Sequence, residues 1–390
     1  MTQLEAARKG EVTAAMKIVA DEEGVAAETV RAAVASGEAV IPLNIHHANA
    51  RPVGVGRMFT TKINANLGRS VTHSGKGDEL DKLKVALDAG ADFVMDLSVG
   101  PDDLKSIRQG MLDASSRPLG TVPAYETISR LEGDIPKMDP SFFIDVIRAQ
   151  AEQGVDFMTL HAGLLLRHIP QALKRKMGIV SRGGAIMAEW MLENGKENPL
   201  FTHWDEVMDI LAEHDVTVSL GDGLRPGCLA DASDAAQFGE LDVLGELVAR
   251  CRKRGVQVMV EGPGHVPFDQ IRMNMERQQK VCDKAPFYVL GPVTTDIARH
   301  LPGARDRDDA MADARAAFDW DRQFELCLDP VHAKQRWLKT RAFTDEAHDD
   351  DHCSMCGKQF CAVRTSRRIR ELSSFSQPEE KFEQVKEKTR

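Results

Sequence analysis

Three cysteines near the end of the chain, Cys353, Cys356 and Cys361 in DHCSMCGKQFC, are spaced for a metal or cluster site. Thiolates with two and then four residues between them can hold three irons of a four-iron cluster. The fourth iron would then have no protein ligand and could bind a reactant. With a fourth protein ligand, for which His352 is the obvious choice, the same thiolates would close a structural zinc site instead. Bare redox or incidental thiols are the third reading, and spacing alone leaves all three open.

A second set of chemically capable residues recurs through the middle of the chain. Asn66, Asp96, Tyr125, His161, Ser181 with Arg182, Asp222 with Arg225, Glu261 with His265, and Tyr288 each stand at or just beyond a short apolar run. Any one of them reads singly as a structural polar residue, and His161 after FMTL has the habit of a satisfied interior histidine. Their recurrence points to one polar pocket. SRGG opens onto the helical pattern AIMAEWMLENG, so glycine amides and a helix N-terminus can receive an oxyanion beside Arg182. GDGLRPG sets Arg225 among small residues that admit a ligand closely. Both loops suit a phosphorylated small molecule, while glycines there also serve simply to shape tight turns. Glu261 and His265 in EGPGHVP could bind metal or move protons, and the prolines and glycines around them specify a loop, not a helix.

These residues need a scaffold that brings successive strand ends together. From residue 61 short apolar runs alternate with amphipathic helices: KINANLG, DFVMDLS, LGTVPAY, DFMTLHAG, GIVSRGG, VTVSLGDG, VQVMVEGPGH and FYVLGP. The helices between carry apolar stripes, among them Leu80, Leu83 and Leu87, then Phe143, Val146 and Ile147, then Leu241, Leu244, Val248 and Cys251. Glycines 90, 154 and 255 stop them. Eight such units predict an α/β fold, a (β/α)8 TIM-type barrel over 61–298 whose strand ends form the pocket. No GxGxxG follows the first strand, which weighs against a dinucleotide fold. Residues 1–60 read as a small helical region and a connector rich in Pro, Gly and Asn. Residues 299–342 read as C-terminal helices, and 343–390 as the tail that carries the three clustered cysteines, with a terminal helix.

Composition narrows the class. The chain has 390 residues, 42% apolar and 28% charged, with a formal net charge of −10. It has no apolar run approaching the ~18 residues of a membrane span, and its first residues lack a signal peptide's apolar core. It reads as a soluble cytoplasmic protein that neither crosses a membrane nor binds nucleic acid. The basic RTSRRIR at 364–370 is expected to be solvated or locally paired. Cys228, Cys251, Cys282 and Cys327 read as small core residues in a reducing compartment.

The runs KINANLG, VMDLS, GTVPAY, FMTLHAG, IVSRGG, SLGDGLRPGC, VMVEGPGHVP, APFYVLGP, DWDRQFEL and CSMCGKQFC, taken in order, resemble the phosphomethylpyrimidine synthase family from residue 40 to 361. The resemblance implies a radical S-adenosylmethionine enzyme that acts on 5-aminoimidazole ribotide. Substrate would be held at Asn66, Met95, Tyr125, His161, Ser181, Arg182, Gly183, Asp222, Gly223, Leu224, Arg225, Glu261 and Tyr288. Cys353, Cys356 and Cys361 would ligate a [4Fe-4S] cluster whose open iron takes S-adenosylmethionine. An external one-electron reductant would start the chemistry, in a homodimer whose cluster segment reaches an active site, with the partner's site the expected one. A sister branch that makes 5-hydroxybenzimidazole from the same ribotide shares these blocks and leaves the product open.

The resemblance also implies a gap. Relatives are expected to continue after the VLGP and TDIA segments with a further histidine block, strand and helix, whereas here TTDIA runs straight into RHLPGARDRDDAMADARAAFDW. The absent block would carry the second histidine of a divalent metal site, zinc in type, whose first is His265. Either turnover is reduced or lost, or His300, His332, His348 or His352 is recruited in its place.

Overall fold

The computed structural model describes residues 1–70, 75–100, 103–290, 303–341, 352 and 356–375. At the N-terminus lie α1 (Gln3–Arg8), α2 (Ala14–Glu23) and α3 (Ala27–Ser36). Thr2 and Thr13 accept the amides of Glu5 and Met16 and so satisfy N–H groups that a first helical turn leaves unpaired. Met16, Val19, Val30 and Val34 pack together as a small separate core. A short antiparallel pair, β1 (Ala39–Val40) and β2 (Val55–Gly56), leads onward.

Seven strands then form one parallel sheet in chain order. They are β3 (Asn64–Leu67), β4 (Phe93–Asp96), β5 (Leu119–Thr121), β6 (Phe157–Leu160), β7 (Thr217–Leu220), β8 (Val258–Gly262) and β9 (Phe287–Val289). Helices fill the crossovers. α4 (Lys76–Asp88) and α5 (Leu104–Ala114) follow β3 and β4, and α6 (Pro123–Arg130) and α7 (Pro140–Gln153) follow β5. After β6 come α8 (Ile169–Ala172), α9 (Arg182–Asn194), α10 (Pro199–Thr202) and α11 (Trp204–His214). α12 (Ala235–Lys253) and α13 (Ile271–Val281) complete the set. The expected stripes face inward: Leu83, Phe143, Val146, Ile147, Leu244, Val248 and Cys251 are all buried, each large apolar side chain contributing about 1.5–3 kcal/mol.

This is the α/β TIM-type arrangement, with one departure from the eight strands expected. Among the described residues the sheet is a curled half-barrel whose edges, β3 and β9, do not pair with each other. GIVSRGG is not a strand. β6 pairs directly with β7, Phe157 opposite Thr217 through Leu160 opposite Leu220, which leaves no slot between them. The backbone of Ile179 finds its partner elsewhere: its N–H donates to Ser366 Oγ at 3.0 Å, and Ser366 Oγ donates to its carbonyl at 2.6 Å.

At the N-terminal end of β6, the fully buried Asp156 ties the connector to the barrel. It accepts the amides of Asn44 (2.8 Å) and Leu119 (2.7 Å) and pairs with His47 Nδ1 at 2.6 Å. Burial alone would lower the pKa of His47, but Asp156 outweighs it and holds the imidazole above its ordinary value. Helices Ala304–Ala317, Trp320–Leu326 and Pro330–Arg341 follow the barrel, and a terminal helix spans Ala362–Phe375. Among the described residues no helix is long and apolar enough to cross a membrane.

Candidate active site

In a parallel sheet, residues paired across strands share a face. Asn66, Met95, Gly120 and Phe157 form one such row, Thr159, Ser219 and Met259 the next, and Glu261 and Tyr288 lie above them. Phe93 and Phe157 meet edge to face at 5.8 Å and form the floor. The polar rows lie toward the carboxyl ends of the strands, where a barrel builds its site. Asp96 falls on the opposite face, one residue out of phase with Met95, and is not part of this group.

The best-defined cluster joins the ends of β7 and β8. Arg225 Nη1 donates to Asp222 Oδ1 and Glu261 Oε1, each at 3.1 Å, and Glu261 Oε2 accepts the Asp222 amide at 3.1 Å. Burial and the neighbouring Glu261 push the Asp222 carboxyl well above the carboxylate range. Burial acts on Glu261 in the same direction, but Arg225 and Asp222 outweigh it and hold Glu261 below its ordinary value. The two carboxyls titrate as a coupled pair in which Asp222 takes up a proton the more readily, and Arg225 balances the charge on Glu261. Tyr288 bonds Ser219 Oγ at 2.7 Å, and burial and Glu261 push its phenol well above the ordinary value.

His161, the residue after β6, lies between two glycines. A Cβ on Gly183 would stand 2.3 Å from its ring, and one on Gly221 2.8 Å. Burial lowers its pKa to about 4, so it is a neutral imidazole at neutral pH. Ser181 caps α9 by accepting the Gly184 amide at 3.1 Å, which places Arg182, Gly183 and Gly184 in the first turn as SRGG suggested. A Cβ on Gly184 would lie 2.2 Å from the Gly223 carbonyl oxygen, so the two glycine loops touch backbone to backbone. The Leu224 amide is taken by Glu240 at 2.7 Å.

Other expected residues are placed differently. Tyr125 lies in the first turn of α6 and not at a strand end, and the Arg182 guanidinium stacks over its ring at 4.7 Å. Met95 is buried on the shared inner row, but Asn66 is exposed on edge strand β3, its Oδ1 accepting Asn64 Nδ2 at 2.8 Å. His265 follows β8 with a left-handed φ of 50°. Among the described residues no three His, Cys, Asp or Glu side chains gather as a metal would require. The described residues alone therefore do not complete a divalent, zinc-type site at His265. His332 is exposed on its helix and His352 half-buried; His300 and His348 lie outside the described residues.

Of the three clustered cysteines, Cys353 lies outside the described residues. Cys356 is half-buried and its Sγ accepts Arg182 Nη2 at 3.2 Å, while Cys361 is buried one short turn later. A guanidinium beside the sulfur favours the thiolate that a cluster needs, so the two described cysteines fit that group. The terminal helix holds this turn against α9. Ser366 bonds Ile179, Arg368 pairs with Glu189 and Glu193 at 3.0 and 2.9 Å, and Arg370 donates to the Arg175 carbonyl at 2.9 Å. RTSRRIR is thus locally paired, and it sets Cys356 beside Arg182 and Tyr125 of the same chain. Cys228, Cys251 and Cys282 are buried free thiols and Cys327 is half-buried.

Two residues with no place in the sequence-based set support the loop after β7, Glu240 and Arg175. Glu240 was detectable as the one acid on the buried stripe of α12, four residues before Leu244.

The sequence matches the model of the Radical SAM ThiC family over residues 2–301 and 296–368. The chain belongs to that family. Its members are radical S-adenosylmethionine enzymes, which implies an iron–sulfur cluster and S-adenosylmethionine. A phosphomethylpyrimidine synthase of Halobacterium salinarum is 49% identical over 427 residues, covering 95% of this chain and 89% of its own. One from Natronomonas pharaonis matches at the same identity and coverage. The alignment runs over 427 positions but takes in only 95% of the 390 residues of this ThiC-family chain, so more than about fifty positions have no counterpart in it. The two matched segments meet at 296–301, where the sequence placed its gap. Among solved structures, a Xanthomonas albilineans dihydropteroate synthase covers 87% of this chain and 99% of its own at 10% identity, with a TM-score of 0.36, too low to carry an argument.

Proposed function

We propose that this enzyme converts 5-aminoimidazole ribotide to 4-amino-5-hydroxymethyl-2-methylpyrimidine phosphate, the pyrimidine precursor of thiamine. The observation that carries this reading is 49% identity to phosphomethylpyrimidine synthases across 95% of the chain. The meeting of Arg225, Asp222, Glu261, His161 and the Ser181–Gly184 turn at one set of strand ends supports it. The phosphate is received at the α9 N-terminus and by Arg225, since amides and a guanidinium suit an oxyanion. Neutral His161 and Tyr288 offer hydrogen bonds to the imidazole and ribose without adding charge. Glu261, ionised and fixed by Arg225, and Asp222, the more readily protonated of the two, stand side by side and can hold or pass a proton at the carboxyl oxygens.

When bound, the cluster and S-adenosylmethionine supply a carbon-centred radical that abstracts hydrogen, on delivery of one electron from an external reductant. Arg182 stacks on Tyr125 and donates to Cys356, so one side chain spans from the pocket wall to the cysteine turn. Cys353 completes the ligand set with Cys356 and Cys361. A homodimer is the proposed assembly. A second reading, reduced turnover, is favoured by the half-barrel and the break at 296–301.

Anaerobic reconstitution tests both. Iron and sulfide near four per chain, 5′-deoxyadenosine formed only with ribotide, and a product with the mass of the pyrimidine phosphate support the proposal. The mass of 5-hydroxybenzimidazole would replace the product assignment. Ribotide binding without deoxyadenosine would establish the impaired reading.

A further inference from the structure

Helix α12 starts beside the Asp222–Arg225 loop and holds it from two sides. Glu240, 2% exposed, accepts the Leu224 amide through Oε2 at 2.7 Å. Its Oε1 lies so near Gly223 that an added Cβ would stand only 2.9 Å away. On the other side Arg175 Nη1 donates to the Arg225 carbonyl at 3.3 Å, while its Nε and Nη2 bind Asp234 at 2.7 Å each. Asp234 is itself the N-cap of α12 and accepts the Gln237 amide at 2.8 Å. The loop is thus gripped at a donor, Leu224 N–H, and at the next residue's acceptor, Arg225 C=O. Burial pushes the Glu240 carboxyl up to about 8, so at neutral pH it serves as a neutral hydrogen-bonding strut. An acid on this buried stripe is costly where a leucine would pack, and the fully buried Leu224 explains its presence: without Glu240 that amide has no acceptor.

We propose that Glu240 and Arg175 are positioning residues that hold the Asp222–Arg225 loop in the conformation presenting Arg225 to the phosphorylated substrate. They set substrate affinity through the loop, without contacting the ligand. The affinity part of this inference rests on the substrate assignment above, whereas the loop part does not.

The test compares the full chain with Glu240→Gln, Glu240→Leu and Arg175→Met, by amide hydrogen exchange across the loop and by calorimetric titration with 5-aminoimidazole ribotide. Glu240→Leu is expected to speed exchange in the loop and weaken ribotide binding, each about tenfold, the typical cost of one buried unpaired amide. Glu240→Gln keeps an oxygen for Leu224 and is expected to stay within about threefold of the native chain in both. Arg175→Met should shift both readouts in the direction of Glu240→Leu, and it decides the matter if Glu240→Leu does not fold. Unchanged loop exchange in Glu240→Leu, or equal losses in the Gln and Leu variants, would overturn the proposal. Failure of the native chain to bind ribotide would remove the substrate assignment, while the exchange comparison would still decide whether the loop is held this way.

Discussion

Replacing Arg225 by Met removes the cation between Asp222 and Glu261 while keeping most of the aliphatic stem. The side chains of Asp222 and Glu261 are 7% and 13% exposed, and that of Arg225 23%. Deleting one partner of a buried pair costs about 3–5 kcal/mol, because the other charge is left uncompensated. Partial exposure of the guanidinium reduces this to about 2–3 kcal/mol. The pH dependence follows from Glu261, whose pKa in the folded protein is depressed despite burial because Arg225 outweighs it. Its contribution is present above the unfolded value near 4.3 and is lost as pH falls through the folded value. In the variant, burial is opposed chiefly by the Asp222 hydrogen bonds and raises Glu261, so the folded state loses stability as pH climbs above about 4.3. The deficit should therefore be small near pH 4 and complete near pH 7. Urea unfolding followed by tryptophan fluorescence across that range measures it. A deficit independent of pH, or one below about 0.5 kcal/mol at neutral pH, would refute the assigned charge state. The same substitution should weaken ribotide binding by at least about tenfold, the loss of one charge-assisted hydrogen bond to phosphate.

Three further outcomes are expected. Gly184→Ala drives a Cβ to 2.2 Å from the Gly223 carbonyl oxygen, so it should lower stability by about 1–3 kcal/mol and weaken ribotide binding; unchanged melting and titration would mean that the two loops have slack. Serine at Cys356 or at Cys361 should abolish stoichiometric iron and sulfide after reconstitution, and full cluster content in either variant would remove that cysteine from the ligand set. His47→Gln should cost about 3 kcal/mol below the unfolded histidine value of about 6.5 and less as pH rises through the raised value in the folded protein, and denaturant midpoints measured on both sides of neutrality would show whether the deficit shrinks.

The scaffold was legible wherever period and punctuation agreed. The stripes of α4, α7 and α12 and the glycine stop at Gly154 come from local sequence, and local sequence suffices for them. GIVSRGG misled because a short apolar run between glycines has the same pattern whether its backbone bonds to a neighbouring strand or to a distant serine. Ser366, 187 residues away, decided it, and no local signal encodes such a contact. Tyr125 shows the same limit at one residue's scale: Pro123 starts a helix early and carries the tyrosine into its first turn. Glu240 and Arg175 escaped notice because they act through the backbone of other residues.

The segment from Arg175 to Arg182 links the two halves of the proposed chemistry. Arg175 supports the Arg225 carbonyl, and its own carbonyl is held by Arg370 of the terminal helix. Ile179 is bonded on both backbone groups by Ser366 of that helix, and Arg182 bonds Cys356 while stacking on Tyr125. Had this segment been a sheet strand, its backbone groups would have been taken by neighbouring strands. Left out of the sheet, it gives the Arg175 carbonyl and both Ile179 groups to the cysteine-bearing tail, and the Lys176 and Met177 amides to Asp231. In the proposed reaction the cluster and the substrate must sit in fixed register, and a segment bonded to the tail on one side and to the proposed phosphate-binding loop on the other would provide that register.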